Sequence, residues 1–227
     1  MVWEQLLSGI KNAVFLGEAG CGKSELAIDL ALSLAAQGET VHFFDMDQTK
    51  PLFRSRDVAA LLEQAGVVCH YEQQTADAPT MVGGVAPLLL NESVRVILDV
   101  GGGDAGARLI GGFAPLLKRP NTSVFYIVNP YRPWSGSIEA IDSTLTAVLH
   151  AARLQKPRYI ANPNLGTDTT AAEFSEGLET TLALLSPYVT VEAAAVPAWL
   201  VGQVSAPLPL LPITPRINYP WDESPLK

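Results

Sequence analysis

Eight residues near the amino end carry the densest chemistry in the sequence: Gly17-Glu18-Ala19-Gly20-Cys21-Gly22-Lys23-Ser24. They follow an apolar run, Ala13–Leu16, and lead into a helical pattern that begins at Glu25 and continues through Leu34. A G-x-x-x-x-G-K-[ST] stretch between a strand and a helix is the signature of a phosphate-binding loop. Its glycines let the backbone aim successive N–H groups inward, and the helix N-terminus adds the positive end of its dipole. In that frame Lys23 reaches the β- and γ-phosphates and the Ser24 hydroxyl ligates Mg²⁺. Gly17–Ser24 with Glu25 then lines a nucleotide. A plain glycine turn is the competing reading, and the flanking pattern speaks against it.

Asp99 ends an apolar strand about 75 residues after the loop, where an acid can hold the Mg²⁺ shell. Asp45 and Asp47 flank Met46 after an earlier strand; two carboxylates there can bind the metal's water shell and orient an attacking water. Asp47 is the better placed for the water, although either acid alone also reads as a helix cap. Gly101-Gly102-Gly103-Asp104-Ala105-Gly106 fits the dinucleotide fingerprint, but no acidic residue lies between Ala105 and Ile138 to bind a ribose. It reads better as a switch loop whose Gly102 N–H touches the γ-phosphate, or as a structural turn. Asn129-Pro130 and Asn162-Pro163 follow later strands, as base contacts or Asx-turns. A guanine-reading N-K-x-D would need Asp at 132 or 165, where Arg132 and Leu165 stand. Arg54, Arg56, Arg108 and Arg132 read either as phosphate or partner contacts or as solvated charges. Cys21, at a helix N-terminus, reads as a lowered-pKa thiol or a loop filler. His42, His70 and His150 show no ligand spacing, so no protein-built metal site is expected.

The elements that must position these residues alternate between strand and helix. Strands are expected at 13–16, 40–44, 67–71, 94–99, 123–128, 158–161 and, last, 189–196. Helices are expected at 3–10, to about 37 after the loop, 54–64, from Pro79 to Leu90, within 101–117, 138–154 and 169–185. That order predicts an α/β, three-layer fold: a mostly parallel sheet with helices on both faces, and ligands beyond the strands' carboxyl ends. Asp45, Asp47, Asp99, Asn129 and Asn162 all fall at such ends. Residues 1–200 form one nucleotide-binding domain in this reading. Residues 201–227 form a Pro-rich arm packed on the domain or on a partner subunit, its prolines excluding helix or a central strand.

Composition narrows the partners. A formal net charge of −8 without a basic run argues against direct nucleic-acid binding. The longest apolar segments fall short of a membrane span, and Met1–Gln5 does not resemble a leader, so a cytoplasmic location is expected. Two cysteines, Cys21 and Cys69, do not make a disulfide framework.

With these residues placed, residues 11 to 200 resemble the MinD/ParA-like ATPases of the P-loop class, which include nitrogenase iron protein and the nickel-insertion ATPases. The anchors are Gly17–Ser24, Asp45-Met46-Asp47 followed by Pro51, Asp99 with its glycines, Asn162, and Val196-Pro197. Lys50–Arg56, Asp99–Asp104 and Asn129–Pro133 look like segments of one uncharacterised branch. The resemblance implies that Asp47 activates water and that Asn162 and Pro197 frame adenine. It also implies a homodimer bridged through a signature lysine early in the loop. Here that position is Glu18, whose carboxylate repels phosphate; an arginine in the lysine's role would not.

The expected activity is a Mg²⁺-dependent ATPase with slow turnover that switches conformation for an unidentified protein partner. Its catalytic set is Lys23, Asp47 and Asp99, and its metal set Ser24, Asp45 and Asp99. A metallochaperone-like GTPase and a non-hydrolysing nucleotide-binding scaffold are the alternatives.

Overall fold

The computed structural model describes residues 2–47, 58–71 and 83–217. Pro51, Arg54 and Arg56, the helix starts expected at 54 and 79, and the tail beyond Ile217 lie outside the described residues.

Strand β1, Asn12–Leu16, is buried at all five positions. The apolar run Ala13–Leu16 within it is what a strand covered on both faces requires. The other strands are β2 Val41–Met46, β3 Val68–His70, β4 Arg95–Val100, β5 Thr122–Val128, β6 Arg158–Ala161, β7 Val191–Pro197 and β8 Leu210–Ile213. They form one eight-stranded sheet in the order β3-β2-β4-β1-β5-β6-β7-β8, with every pairing parallel. The expected fold class is the observed one.

Alternating side chains along each strand divide the core in two. Val14, Leu16, Phe44, Leu98 and Tyr126 face one layer, which includes α4 Val85–Leu90, α7 Ile138–Ala152 and α8 Ala171–Leu185. Phe15, Phe43, Ile97, Phe125 and Ile127 face the other, built from α1 Val2–Leu6, α2 Lys23–Ala36 and α3 Ala59–Gln64. Trp3 of α1 meets Phe15 and Phe125 edge-on at 6.2 and 6.0 Å between ring centroids, and its indole N–H donates to Asp29.

Two expectations change. The helix sought within 101–117 is divided into α5 Gly103–Arg108, a 3₁₀ turn Gly111–Phe113 and α6 Ala114–Leu117; the Gly111-Gly112 pair makes the break. The strand read as last is followed by β8, which pairs Leu210–Ile213 with Ala194–Pro197 at the sheet's edge. An edge strand accommodates Pro212, because an edge residue can lack its N–H without opening a ladder.

Candidate nucleotide site

Helix α2 starts at Lys23 directly after Gly22, whose φ of +97° is a left-handed conformation that glycine adopts freely. No side chain caps this end, so its first N–H groups face the loop. The loop is folded on itself: Lys23 is only 6% exposed, and its ammonium donates to the Glu18 carbonyl at 2.8 Å. The Cys21 sulfur lies 3.8 Å from the same nitrogen. The thiol pKa is raised, not lowered: complete burial outweighs the pull of Lys23 and the helix end. Cys21 fills the loop.

The acids converge because of strand register. Asp45 of β2 lies opposite Asp99 of β4, and Asp99 lies opposite Phe15 of β1. By alternation both carboxylates point to the face covered by α2. The Asp47 N–H donates to Asp45 Oδ1 at 3.1 Å, and a methyl group at Gly101 would come within 2.9 Å of Asp47 Oδ1. Asp99 is 1% exposed, and its Oδ1 has no hydrogen-bond partner among the described residues. Burial pushes its carboxyl up to about 7, and the Asp45 charge adds to the rise; the Ser24 hydrogen bond and the Lys23 charge oppose it.

Mg²⁺ fits this donor set. In phosphate sites it takes one or two protein oxygens and fills its octahedron with phosphate and water. The Ser24 hydroxyl and the orphaned Asp99 oxygen are of that kind. No group of three or more His, Cys, Asp or Glu that could hold a metal ion occurs among the described residues, so this is not an all-protein cage.

Neighbouring loops hold the phosphate loop from two sides. After β4, the Gly103 N–H donates to the Gly17 carbonyl at 3.2 Å, and a Cβ on Gly102 would sit 2.8 Å from Ala19 backbone atoms. The approach is so close that only glycine fits. After β6, Asn162 donates its side-chain N–H to the Cys21 carbonyl at 2.7 Å. After β5, Arg132 Nε donates to the Gly20 carbonyl at 3.0 Å.

Other expected residues have different neighbours. The Glu25 carboxylate accepts the Arg216 and Ile217 N–H groups at 2.9–3.0 Å, so its side chain serves the segment after β8. Asn129 forms an Asx-turn, accepting the Tyr131 N–H and donating to the Asn164 carbonyl at 2.8 Å. Pro197 ends β7, three strands from β1. Arg108 pairs with Asp104 on the surface at 3.0 Å.

One pairing has no signal in the residue pattern. His42 Nδ1 and His70 Nε2 lie 2.9 Å apart across β2 and β3, and His70 also stacks on Phe44. Burial lowers both histidine pKa values. Their 28-residue separation follows no ligand spacing, and only the β2–β3 register unites them.

No helix among the described residues is long and apolar enough to cross a membrane. No family model matches the chain. A 47-residue stretch is 49% identical to the cytosolic Fe-S cluster assembly factor CFD1 of Yarrowia lipolytica, covering 20% of this chain and 16% of that protein. Cell division protein FtsY of Thermotoga maritima superposes with a TM-score of 0.54 at 16% identity, over 83% of this chain and 62% of that one. The signal recognition particle receptor FtsY of Elizabethkingia anophelis, in complex with GDP, gives 0.53 at 15% identity, over 83% and 57%. The chain thus matches less than two thirds of each of these proteins' lengths. At such identities the structural likeness is one of architecture: this chain has the three-layer α/β fold of the P-loop nucleoside triphosphatases.

Proposed function

We propose that the chain is a Mg²⁺-dependent nucleoside triphosphatase that binds ATP, hydrolyses it slowly and switches conformation for a protein partner. The observation that carries this reading is the placement of Lys23, Ser24, Asp45, Asp47 and Asp99 at one carboxyl-end corner of β1, β2 and β4. Lys23 and the loop N–H groups hold the phosphates; Ser24 and Asp99 hold the cation. When bound, Mg²⁺ neutralises charge on the transferred phosphoryl group. Asp47, steadied by its N–H bond to Asp45, accepts a hydrogen bond from the attacking water and orients it. Gly102, packed on Ala19, places the loop after β4 where a change at the γ-phosphate would move it.

The Asp45–Asp47 pair and the short likeness to CFD1 support an affiliation of the MinD/ParA kind, with Glu18 marking a divergent branch. A GTPase is the second reading, favoured by the GDP held in one FtsY structure and opposed by Arg132 and Leu165 at the base-reading positions.

Competitive titration with ATP and GTP, followed by phosphate release, tests the proposal. The expected result is ATP preference with turnover above background, abolished in Asp47→Ala while binding survives. Preferential GTP binding selects the second reading. Bound nucleotide without phosphate release, with partner candidates present, leaves a non-hydrolysing scaffold.

A further inference from the structure

Arg132 is held at the rim of the phosphate loop, and among the described residues no counter-charge pairs with it. Its Nε–H donates to the Gly20 carbonyl, a neutral acceptor, and no carboxylate pairs with it among the described residues. Three other arginines have carboxylate partners: Arg95 pairs with Glu39, Arg108 with Asp104 and Arg158 with Glu192. In a chain with 23 acidic and 15 basic residues, an unpaired arginine on a phosphate loop is conspicuous.

Its position is built. Asn129 turns the chain after β5 by accepting the Tyr131 N–H, and its own carbonyl accepts the Arg132 N–H at 3.1 Å. The Arg132 carbonyl in turn accepts the Ser135 N–H at 2.9 Å, and Tyr131 is tied through its hydroxyl to the Glu173 carbonyl. The guanidinium that results lies across Gly20: an added Cβ there would meet Nε at 3.5 Å and Nη2 at 3.9 Å. One of its five N–H donors is used by Gly20, and the terminal fork, the part that grips phosphate oxygens in pairs, is left over. The opposite rim carries Glu18, whose Oε2 would lie 3.3 Å from a Cβ on Gly103.

We infer that Arg132 is a phosphate-contacting residue: its fork binds the polyphosphate of the nucleotide from the β5 side and offsets the Glu18 charge on the same loop. This rests on the nucleotide reading above. The carbonyl bond to Gly20 orients the guanidinium plane, and the phosphate takes the other donors.

The test is a charge series in the full chain: Arg132→Ala, Arg132→Gln and Arg132→Lys. Affinities for ATP and GTP are measured at low and high salt, beside thermal melts. Ala and Gln are each expected to weaken binding about 10- to 100-fold at low salt, the loss of one charge-assisted contact. Lys is expected to restore part of it, and the gap from wild type to narrow at high salt. A tether without phosphate contact behaves differently, because Gln can still donate to Gly20. Wild-type affinity in Gln, or a deficit in Ala that salt does not change, overturns the inference and leaves the nucleotide reading standing. A wild-type protein that binds neither nucleotide overturns both.

Discussion

The side-chain amide of Asn162 donates to the backbone carbonyl of Cys21 at 2.7 Å, joining the end of β6 to the phosphate loop across 141 residues of sequence. The same nitrogen fills the space beside Gly22, where a Cβ would come within 2.0 Å of it. Asn162 therefore braces the loop directly.

Replacing it with alanine strands the Cys21 carbonyl. Asn162→Ala is expected to lose roughly 1–3 kcal/mol of stability, the usual penalty for a buried group left without its partner. At about 2–4 °C per kcal/mol for a domain of this size, a thermal melt resolves the change. Asn162→Asp is expected to melt lower still, since a carboxylate oxygen would oppose the carbonyl. Equal melting of Asn162→Ala and wild type would show that the brace carries no energy.

Asp99 gives the fold a defined pH response. Its folded pKa stands near 7 against an ordinary value of 3.8, so the buried carboxylate is the unfavourable form. The stability this group contributes is fully present in acid, below the unfolded value, and is lost as pH rises through about 7. Glu25, raised to about 7 by burial, acts in the same direction. His42 and His70, with lowered values, lose their contribution as pH falls through the histidine range. The difference between Asp99→Asn and wild type isolates the one acid. The advantage of the variant over wild type is expected to grow as pH rises from 5 to about 7 and then level off by pH 8, while phosphate release is lost. A constant difference across that range would refute the assignment.

Glu25 anchors the chain beyond β8 through two backbone N–H groups. Glu25→Ala leaves both donors inside the protein without an acceptor. It is expected to cost about 1.5–3 kcal/mol per charged hydrogen bond lost at most, and to expose the segment around Arg216 to limited proteolysis. Glu25→Gln keeps an acceptor oxygen and is expected to retain most of the protection. Equal cleavage of all three proteins would remove Glu25 from this role.

Much of the architecture is legible in the residues themselves. Val14-Phe15-Leu16 before Gly17, and Leu26 through Leu34 after Ser24, are a buried strand and a helix by pattern alone. Asp99 stands at a strand end because Val96-Ile97-Leu98 precedes it. Where local signals compete, legibility fails: Leu208 to Ile213 is so rich in proline that it reads as an arm, yet β7 offers an open edge that Leu210–Ile213 completes. Cys21 is a similar case, since its helix-end position suggests an activated thiol and only its 1% exposure decides against one.

The sequence by itself determined the phosphate loop, the alternation of strands and helices, and the acids that end β2 and β4, because each depends on spacing within a few residues. The tertiary structure alone decided what meets across the sheet: Asp45 opposite Asp99, His42 against His70, Asn162 on Cys21, Glu25 on the chain at Ile217, and Arg132 over Gly20. Periodicity tells which face a side chain takes, but not which strand lies beside its own. That neighbour is set by the order β3-β2-β4-β1-β5-β6-β7-β8, and the order follows from how the whole chain buries both faces of one sheet.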